Sequence, residues 1–456
     1  MIYEIVDAQK QLIKYRKNEK FVKINNSTLY IKKVNDKFSV VINSFQNKLF
    51  LLENKKIKNK FIEVPESLKS IFEFPKISEV QLKDDERYQK YEDYINISIA
   101  MSYSCNLRCS YCFQQKNKNL NRRVISEDYL EKIFAKIIEL QDRYHKTVDI
   151  NLFGGEPFLP KNEEIINKIF DFALKRGCYI SAVSNGIFLP YYAKKLIIYK
   201  NIISSIATTI NSTPDDYKNS KKITKVANNP EKLALIVGLL LKHGVQISVG
   251  TNVDKLNINE LPNLLKFFEE QGFLKNEKFN WRIGRVDDRF YDSNYPYILT
   301  ESDILAKLQT LSPLPGNVTA AFMQTSANLA QKLGFLFGQQ QLKGEFSYCW
   351  ALSPYNQIYY VDNDLKLFRC TVTVGREELA IGNLENTAIQ ENNVQLESYL
   401  DFDKCKSCKI GGFCSGGCKV SRNIDFNRQC NYERKAFDKF IDNILLPKVK
   451  ELTNEI

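Results

Sequence analysis

The chemistry of this chain is concentrated in its sulfur. Cys105, Cys109 and Cys112 stand at C-x3-C-x2-C spacing, just after the apolar-alternating run 95–100. A strand that ends in such a loop presents its thiols together at one end of a sheet. Three close thiolates hold three irons of a [4Fe–4S] cube and leave the fourth iron without a protein ligand. An iron left open suits a cluster that does chemistry rather than one that only passes electrons. A zinc knuckle or a redox thiol group is the alternative for the same spacing. Zinc usually takes four ligands, and no fourth Cys or His stands nearby, since the only histidines are His145 and His243.

Seven more cysteines fall late in the chain: Cys349, Cys370, Cys405, Cys408, Cys414, Cys418 and Cys430. Short fixed spacings such as these read as metal ligation. With so little histidine, sulfur must do the ligating, which favours iron–sulfur over mixed-ligand zinc sites. Cys178 stands alone in an apolar run and reads as core. The N-terminus, Met1-Ile2-Tyr3-Glu4-Ile5, has no basic region followed by an apolar one, so a cytoplasmic location is expected, where thiols stay reduced.

The elements that position these residues follow from pattern. The 456 residues, 44% hydrophobic and 26% charged, describe a globular protein with room for about two to four domains. No apolar run approaches the ~18 residues of a membrane span. Residues 1–90 read as short strands over 21–24, 28–32, 38–42 and 48–52, separated by polar turns as in a meander of hairpins, then a short helix over 65–72. From 91 to 290, strands at 95–100, 148–153, 179–184, 203–209, 245–251 and 279–284 alternate with helices at 127–144, 163–176, 191–199, 231–242 and 261–271. About six βα units imply a parallel sheet curled into a full or partial barrel, with its site at the carboxyl ends of the strands. Residues 291–345 form a linker with helices over 302–311 and 320–338. The segment 346–456 is cysteine-rich and ends in a helix over 433–446. The net charge of +12 reads as solvated lysines on helix faces, with a pull on an acidic partner such as an acidic peptide as the alternative. No arginine stripe with interleaved aromatics suggests nucleic acid.

The motif Cys105-x3-Cys109-x2-Cys112, with Tyr111 before its last cysteine, and Gly154-Gly155-Glu156-Pro157 after the next strand resemble the radical S-adenosylmethionine (SAM) enzymes over roughly 95–290. The resemblance implies a partial (β/α)6 barrel, a cluster whose open iron binds the amino and carboxylate groups of SAM, and hydrogen abstraction by a 5′-deoxyadenosyl radical. The cofactor then carries the hard chemistry while the protein positions and shields it. Two glycines after a strand permit close approach of a ligand. Glu156, or carbonyls of its turn, is then placed to accept from the ligand's amino group. Ser184, of Ser184-Asn185-Gly186, corresponds to a ribose contact, and Tyr111 and Asn252 to adenine and carboxylate contacts. Lys221 or Lys222 stands where relatives often carry an arginine. The run Thr209-Ile210-Asn211-Ser212 replaces a common Ser-Leu-Asp-Gly, losing its Asp and Gly.

The late cysteines, with C-x2-C-x5-C-x3-C over Cys405, Cys408, Cys414 and Cys418, resemble the SPASM domain of peptide-modifying radical enzymes. That resemblance implies two auxiliary [4Fe–4S] clusters, three in all. Cys405, Cys408, Cys414 and Cys430 would hold one, and Cys349, Cys370 and Cys418 the other, with an iron open to substrate. Leu365 departs from the glycine expected there, which puts the local turn in question. Sulfatase-maturing relatives carry Asp where this chain has Thr371. The function implied is modification of a ribosomally made precursor peptide by thioether or carbon–carbon crosslinking, with residues 1–90 binding a leader peptide. A low-potential donor such as flavodoxin or ferredoxin would supply electrons. Sulfatase-maturase-like side-chain oxidation and peptide epimerisation are the enzymatic alternatives, and a zinc-binding interaction protein the non-enzymatic one. Arg282, Arg285 and Asp287, near the sixth strand, are candidates for acid–base work by location.

Overall fold

The computed structural model describes residues 1–5, 12–15, 19–46, 48–73, 94–117, 120–219, 229–288, 295–311, 313–321, 358–385, 403–414 and 416–454. The N-terminal part is nearly all strand: β1 (Ile2–Ile5), β2 (Leu12–Lys14), β3 (Phe21–Asn25), β4 (Tyr30–Lys33), β5 (Phe38–Asn43), β6 (Lys48–Glu53) and β7 (Phe61–Pro65). Five of them form an antiparallel sheet in the order β2-β1-β6-β5-β4. The meander expectation fails for β3, which pairs with β7, so that Phe21 meets Pro65. Apolar β3 and β7 side chains, Ile24, Ile62 and Val64, close over Val41, Phe50 and Leu52 of the larger sheet. Burial of that layer decides the long-range pairing.

The main sheet has ten strands in the order β14-β13-β12-β11-β10-β9-β8-β15-β16-β17. Its strands are β8 (Tyr94–Ala100), β9 (Thr147–Phe153), β10 (Tyr179–Val183), β11 (Ile203–Thr209), β12 (Ile247–Val253), β13 (Phe279–Arg285), β14 (Val318–Ala321), β15 (Ile358–Val361), β16 (Lys366–Phe368) and β17 (Gly382–Asn383). All pairs from β14 through β8 to β15 are parallel. The result is an open, partial (β/α) barrel. Two expectations change. The stretch 320–338 begins as strand β14, not helix, because Ala320 pairs with Ile283; residues 322–338 lie outside the described part. The sheet also runs on past residue 290, and β15 of the cysteine-rich region pairs in register with β8, Tyr360 against Ser98.

Helices cover the outer face for readable reasons. In the helix Glu127–Tyr144, the Ser126 hydroxyl accepts from the Tyr129 N–H, and Glu127 and Asp128 meet the positive end of the helix dipole. Its buried residues Leu130, Ile133, Phe134, Ile137 and Leu140 fall on one face. Phe134 stacks on Phe172 of the next helix, Glu163–Arg176, at 4.0 Å. The helix Phe426–Phe440 carries the N-terminal sheet: Tyr30 donates to Asp438 at 2.7 Å and packs edge-on against Phe437. No helix among the described residues is long and apolar enough to cross a membrane.

Candidate functional site

Strand β8 delivers the chain to residues 101–112, and β9 delivers Gly154 and Gly155 beside it. Gly154 has φ of +125°, and a Cβ there would stand 2.3 Å from the Ser102 carbonyl oxygen. A Cβ on Gly155 would stand 2.2 Å from that of Ser104. The two segments are also tied by hydrogen bonds, Gly155 N–H to Ser102 O at 2.9 Å and Glu156 N–H to Ser104 O at 2.8 Å. The close approach that requires glycine is therefore between two stretches of this chain, not only between chain and ligand. It anchors the start of the cysteine loop.

Glu156, expected to accept from the ligand, is held by the chain itself. Only 1% of it is exposed, and its carboxylate accepts from Phe158 N–H at 3.0 Å, Ser184 Oγ at 2.7 Å and Asn185 N–H at 2.7 Å. Burial raises its pKa to about 6 against the pull of those three donors. The carboxylate thus locks the Gly-Gly-Glu-Pro turn to the Ser-Asn-Gly turn after β10. Ser184 is engaged in the same lock, its hydroxyl also accepting from Gly186 N–H.

What remains is a cavity of about 390 Å³ at the carboxyl ends of the strands. Cys105, Cys109 and Cys112 line it with Tyr111, Gly154, Gly155, Ser184 and Asn252, while Glu156 and Pro157 do not line it. Burial pushes the Cys109 thiol up to about 11, helped by the neighbouring Cys112 and Cys105, and also raises Cys105. Among the described residues no three His, Cys, Asp or Glu side chains are gathered as a single metal ion requires. Three thiols lining one cavity match a cube, in which each thiolate takes a different iron. Tyr111 and Asn252 meet each other: the tyrosine oxygen accepts from Asn252 Nδ2 at 3.3 Å and Asn211 Nδ2 at 3.2 Å.

Two contributors escaped sequence reasoning. Asn185 Nδ2 donates to Asn106 Oδ1 at 2.9 Å and reaches Cys105 Sγ at 3.8 Å, beside the Leu107 N–H at 3.4 Å from the same sulfur. Its signal was its place between Ser184 and Gly186. Asn211 replaces the lost Asp and accepts the Asn252 N–H at 2.9 Å, so the position keeps an acceptor without the charge. Arg285 and Asp287 line the cavity as an ion pair of 3.1 Å. Lys221 and Lys222 lie outside the described residues.

A second cavity, about 260 Å³, is lined by Cys405, Cys408, Cys414 and Cys430 together with Arg434 and Lys404. Burial, then the nearby Cys430, pushes the Cys405 thiol up to about 11. The N-terminal sheet braces this loop: a Cβ on Gly412 would stand 2.3 Å from the Ser44 carbonyl oxygen. Cys370 and Cys418 do not line this cavity, and Cys349 lies outside the described residues. Cys370 instead precedes Thr371 and Val372, and Val372 lines the first cavity. The questioned turn forms with Leu365 itself at φ of +61°. The Asp362 carboxylate steadies it by accepting from Asp364 N–H at 3.0 Å and Lys366 N–H at 2.8 Å.

Residues 99–268 match the model of the Radical SAM superfamily. A cysteine-type anaerobic sulfatase-maturating enzyme of Clostridium perfringens is 21% identical over 374 residues, 78% of this chain and 97% of that protein. Its fold resembles anSMEcpe with bound AdoMet and Cp18Cys peptide, with a TM-score of 0.57 at 19% identity, covering 79% of this chain and 99% of the other. It also resembles Streptococcus suis SuiB bound to precursor peptide SuiA, with a TM-score of 0.55 at 11% identity over 89% and 97% of the two chains.

Proposed function

Because the chain belongs to the radical SAM superfamily, carrying both its barrel and a SPASM-like cysteine region, we propose that it modifies a ribosomally synthesised peptide, forming a thioether or carbon–carbon crosslink. In this reading Cys105, Cys109 and Cys112 hold a [4Fe–4S] cluster whose remaining iron takes SAM. When bound, the cluster and SAM supply the electron and the 5′-deoxyadenosyl radical that abstracts hydrogen from an unactivated carbon. The chain's own residues shape the space around them. Gly154 and Gly155 turn backbone toward the ligand, Tyr111, Ser184 and Asn252 border it, and Glu156 locks the two turns together.

The observation that carries the peptide reading is Val372. The residue two positions after Cys370 lines the same cavity as the first three cysteines, so the cysteine-rich region abuts the radical site. We assign Cys405, Cys408, Cys414 and Cys430 to one auxiliary cluster. Cys349, Cys370 and Cys418 are assigned to another, open to a substrate thiolate. Residues 1–90 take the leader peptide, and flavodoxin or ferredoxin supplies electrons.

Sulfatase-type oxidation is the second reading, favoured by likeness along 97% of a sulfatase-maturating enzyme. Against it, Thr371 stands where those relatives carry Asp, and its hydroxyl donates to Tyr360 at 3.0 Å. A threonine in that bond is no substitute for a carboxylate base. The test is incubation of the reduced, reconstituted chain and SAM with the small peptide encoded beside its gene. Crosslinking removes two hydrogens and, for a thioether, blocks alkylation of the peptide thiol. An unchanged peptide mass while 5′-deoxyadenosine accumulates counts against it. Loss of two hydrogens from a Ser- or Cys-containing sulfatase peptide would favour the second reading.

A further inference from the structure

The barrel lumen holds a cation that nothing in the described structure neutralises. Arg282 lies mid-strand on β13 between Trp281 and Ile283, both fully buried toward the helices. Alternation along a strand turns Arg282 to the opposite, lumen side with Asn280. Register sets it beside Gly250 of β12 and Thr319 of β14, neither charged. Among the described residues it has no hydrogen-bond or ion-pair partner; Tyr360 alone acts on its charge. Protein surrounds the guanidinium closely enough to depress its pKa by desolvation, while the side chain stays reachable by water. Both hold for a group facing an enclosed, wet space.

That space adjoins the first cavity. The Tyr360 ring packs edge-on to Phe153 at 5.9 Å, its hydroxyl accepts from Thr371, and Phe153 and Val372 line the cavity. Three residues after Arg282, Arg285 lines the cavity with its side chain only 5% exposed. Its Nη2 pairs with Asp287 and its plane stacks on Tyr432 at 5.0 Å, but its buried Nη1 has no partner. Of the carboxylates nearby, Glu156 accepts from three donors, Asp149 from Ser181 and Ser204, and Asp287 pairs with Arg285, while Asp288 also lines the cavity. An unpaired guanidinium in such a space offers its planar fork to a carboxylate.

We propose that Arg282 binds a carboxylate of the substrate, the side chain of an aspartate or glutamate close to the residue being modified, with Arg285 adding positive charge at the cavity wall. The proposal rests on the peptide reading above and names the feature by which this chain selects its peptide. It also gives the net charge of +12 a local focus.

The test uses the full reconstituted chain saturated with SAM, so that the carboxylate of SAM cannot stand in for that of the probe. The probes are N-acetylglutamic acid amide and its neutral counterpart N-acetylglutamine amide, followed by ligand-observed NMR. The glutamyl probe should bind about ten-fold more tightly or better, as a charge-assisted pair implies. Arg282→Gln should abolish that preference, Arg285→Gln should weaken it, and Arg282→Lys should retain part. Iron content and unfolding midpoint establish that each variant is folded. Absence of a preference in the unmodified chain, or its survival in Arg282→Gln, overturns the proposal. If the preference is present but the neighbouring peptide is left unmodified, the crosslinking reading fails while this site stands.

Discussion

At the mouth of the barrel three cysteines share a cavity of about 390 Å³ with paired glycines, Tyr111 and Asn252. In the C-terminal region four cysteines crowd a cavity of about 260 Å³. Burial raises Cys105 and Cys109 in one and Cys405 and Cys430 in the other, and in both a glycine is pressed against a neighbouring backbone, Gly155 on Ser104 and Gly412 on Ser44. The difference lies in what is left over. The first site has one thiol fewer than a cube has irons and more room, with a wall whose polar groups are partly uncommitted. The second has a thiol for each iron and less space. In the proposed reading, the contrast separates a cluster site that admits another ligand from one that is closed.

The sharpest way to break that contrast is Cys109→Ala. It should lower 5′-deoxyadenosine formation by at least about a thousand-fold, while about eight of about twelve irons per chain remain. The two tight glycines give the next largest effect. Gly155→Ala forces a Cβ to 2.2 Å from a carbonyl oxygen and should cost about 3 kcal/mol with loss of SAM cleavage. Gly412→Ala should instead lower iron content while the SAM-dependent change in the first cluster's spectrum persists. The two outcomes should not be interchangeable.

Glu156 sharpens the first site through pH. Its pKa is raised from 4.5 to about 6, chiefly by desolvation. An acid with a raised folded pKa stabilises the fold fully below its unfolded pKa and loses that contribution as pH rises through the folded one. The loss is about 2 kcal/mol between pH 4.5 and about 6. Denaturant unfolding of Glu156→Gln across that window should lack this fall. The smallest effect is expected for Tyr111→Phe, which removes the acceptor shared by Asn211 and Asn252. It should cost about 1 kcal/mol and raise the SAM concentration needed for half-maximal cleavage several-fold.

The sequence spelled out what depends on neighbours in the chain. The helix Glu163–Arg176 and strand Ile203–Thr209 fall where periodicity puts them, and the cysteine spacing alone located both thiol groups. It was silent where partners are distant. Nothing local in Val318–Ala321 marks a strand, because its partner β13 decides the matter. The β15–β8 pairing joins residues more than 250 apart in number. Nothing beside Glu156 in the chain tells that Ser184 and Asn185, which follow the next strand, donate to it. Leu365 shows the converse: a position where glycine is expected holds its turn because the Asp362 side chain ties it.

In the proposed arrangement the first three cysteines leave an iron open to SAM and the C-terminal four do not. Electron paramagnetic resonance of the reduced, reconstituted chain with and without SAM tests it directly. One cluster signal should shift on adding SAM and be missing from Cys109→Ala, while the signal that depends on Cys405 and Cys430 stays fixed. A spectrum that SAM leaves unchanged, or a shift that survives in Cys109→Ala, would contradict the account.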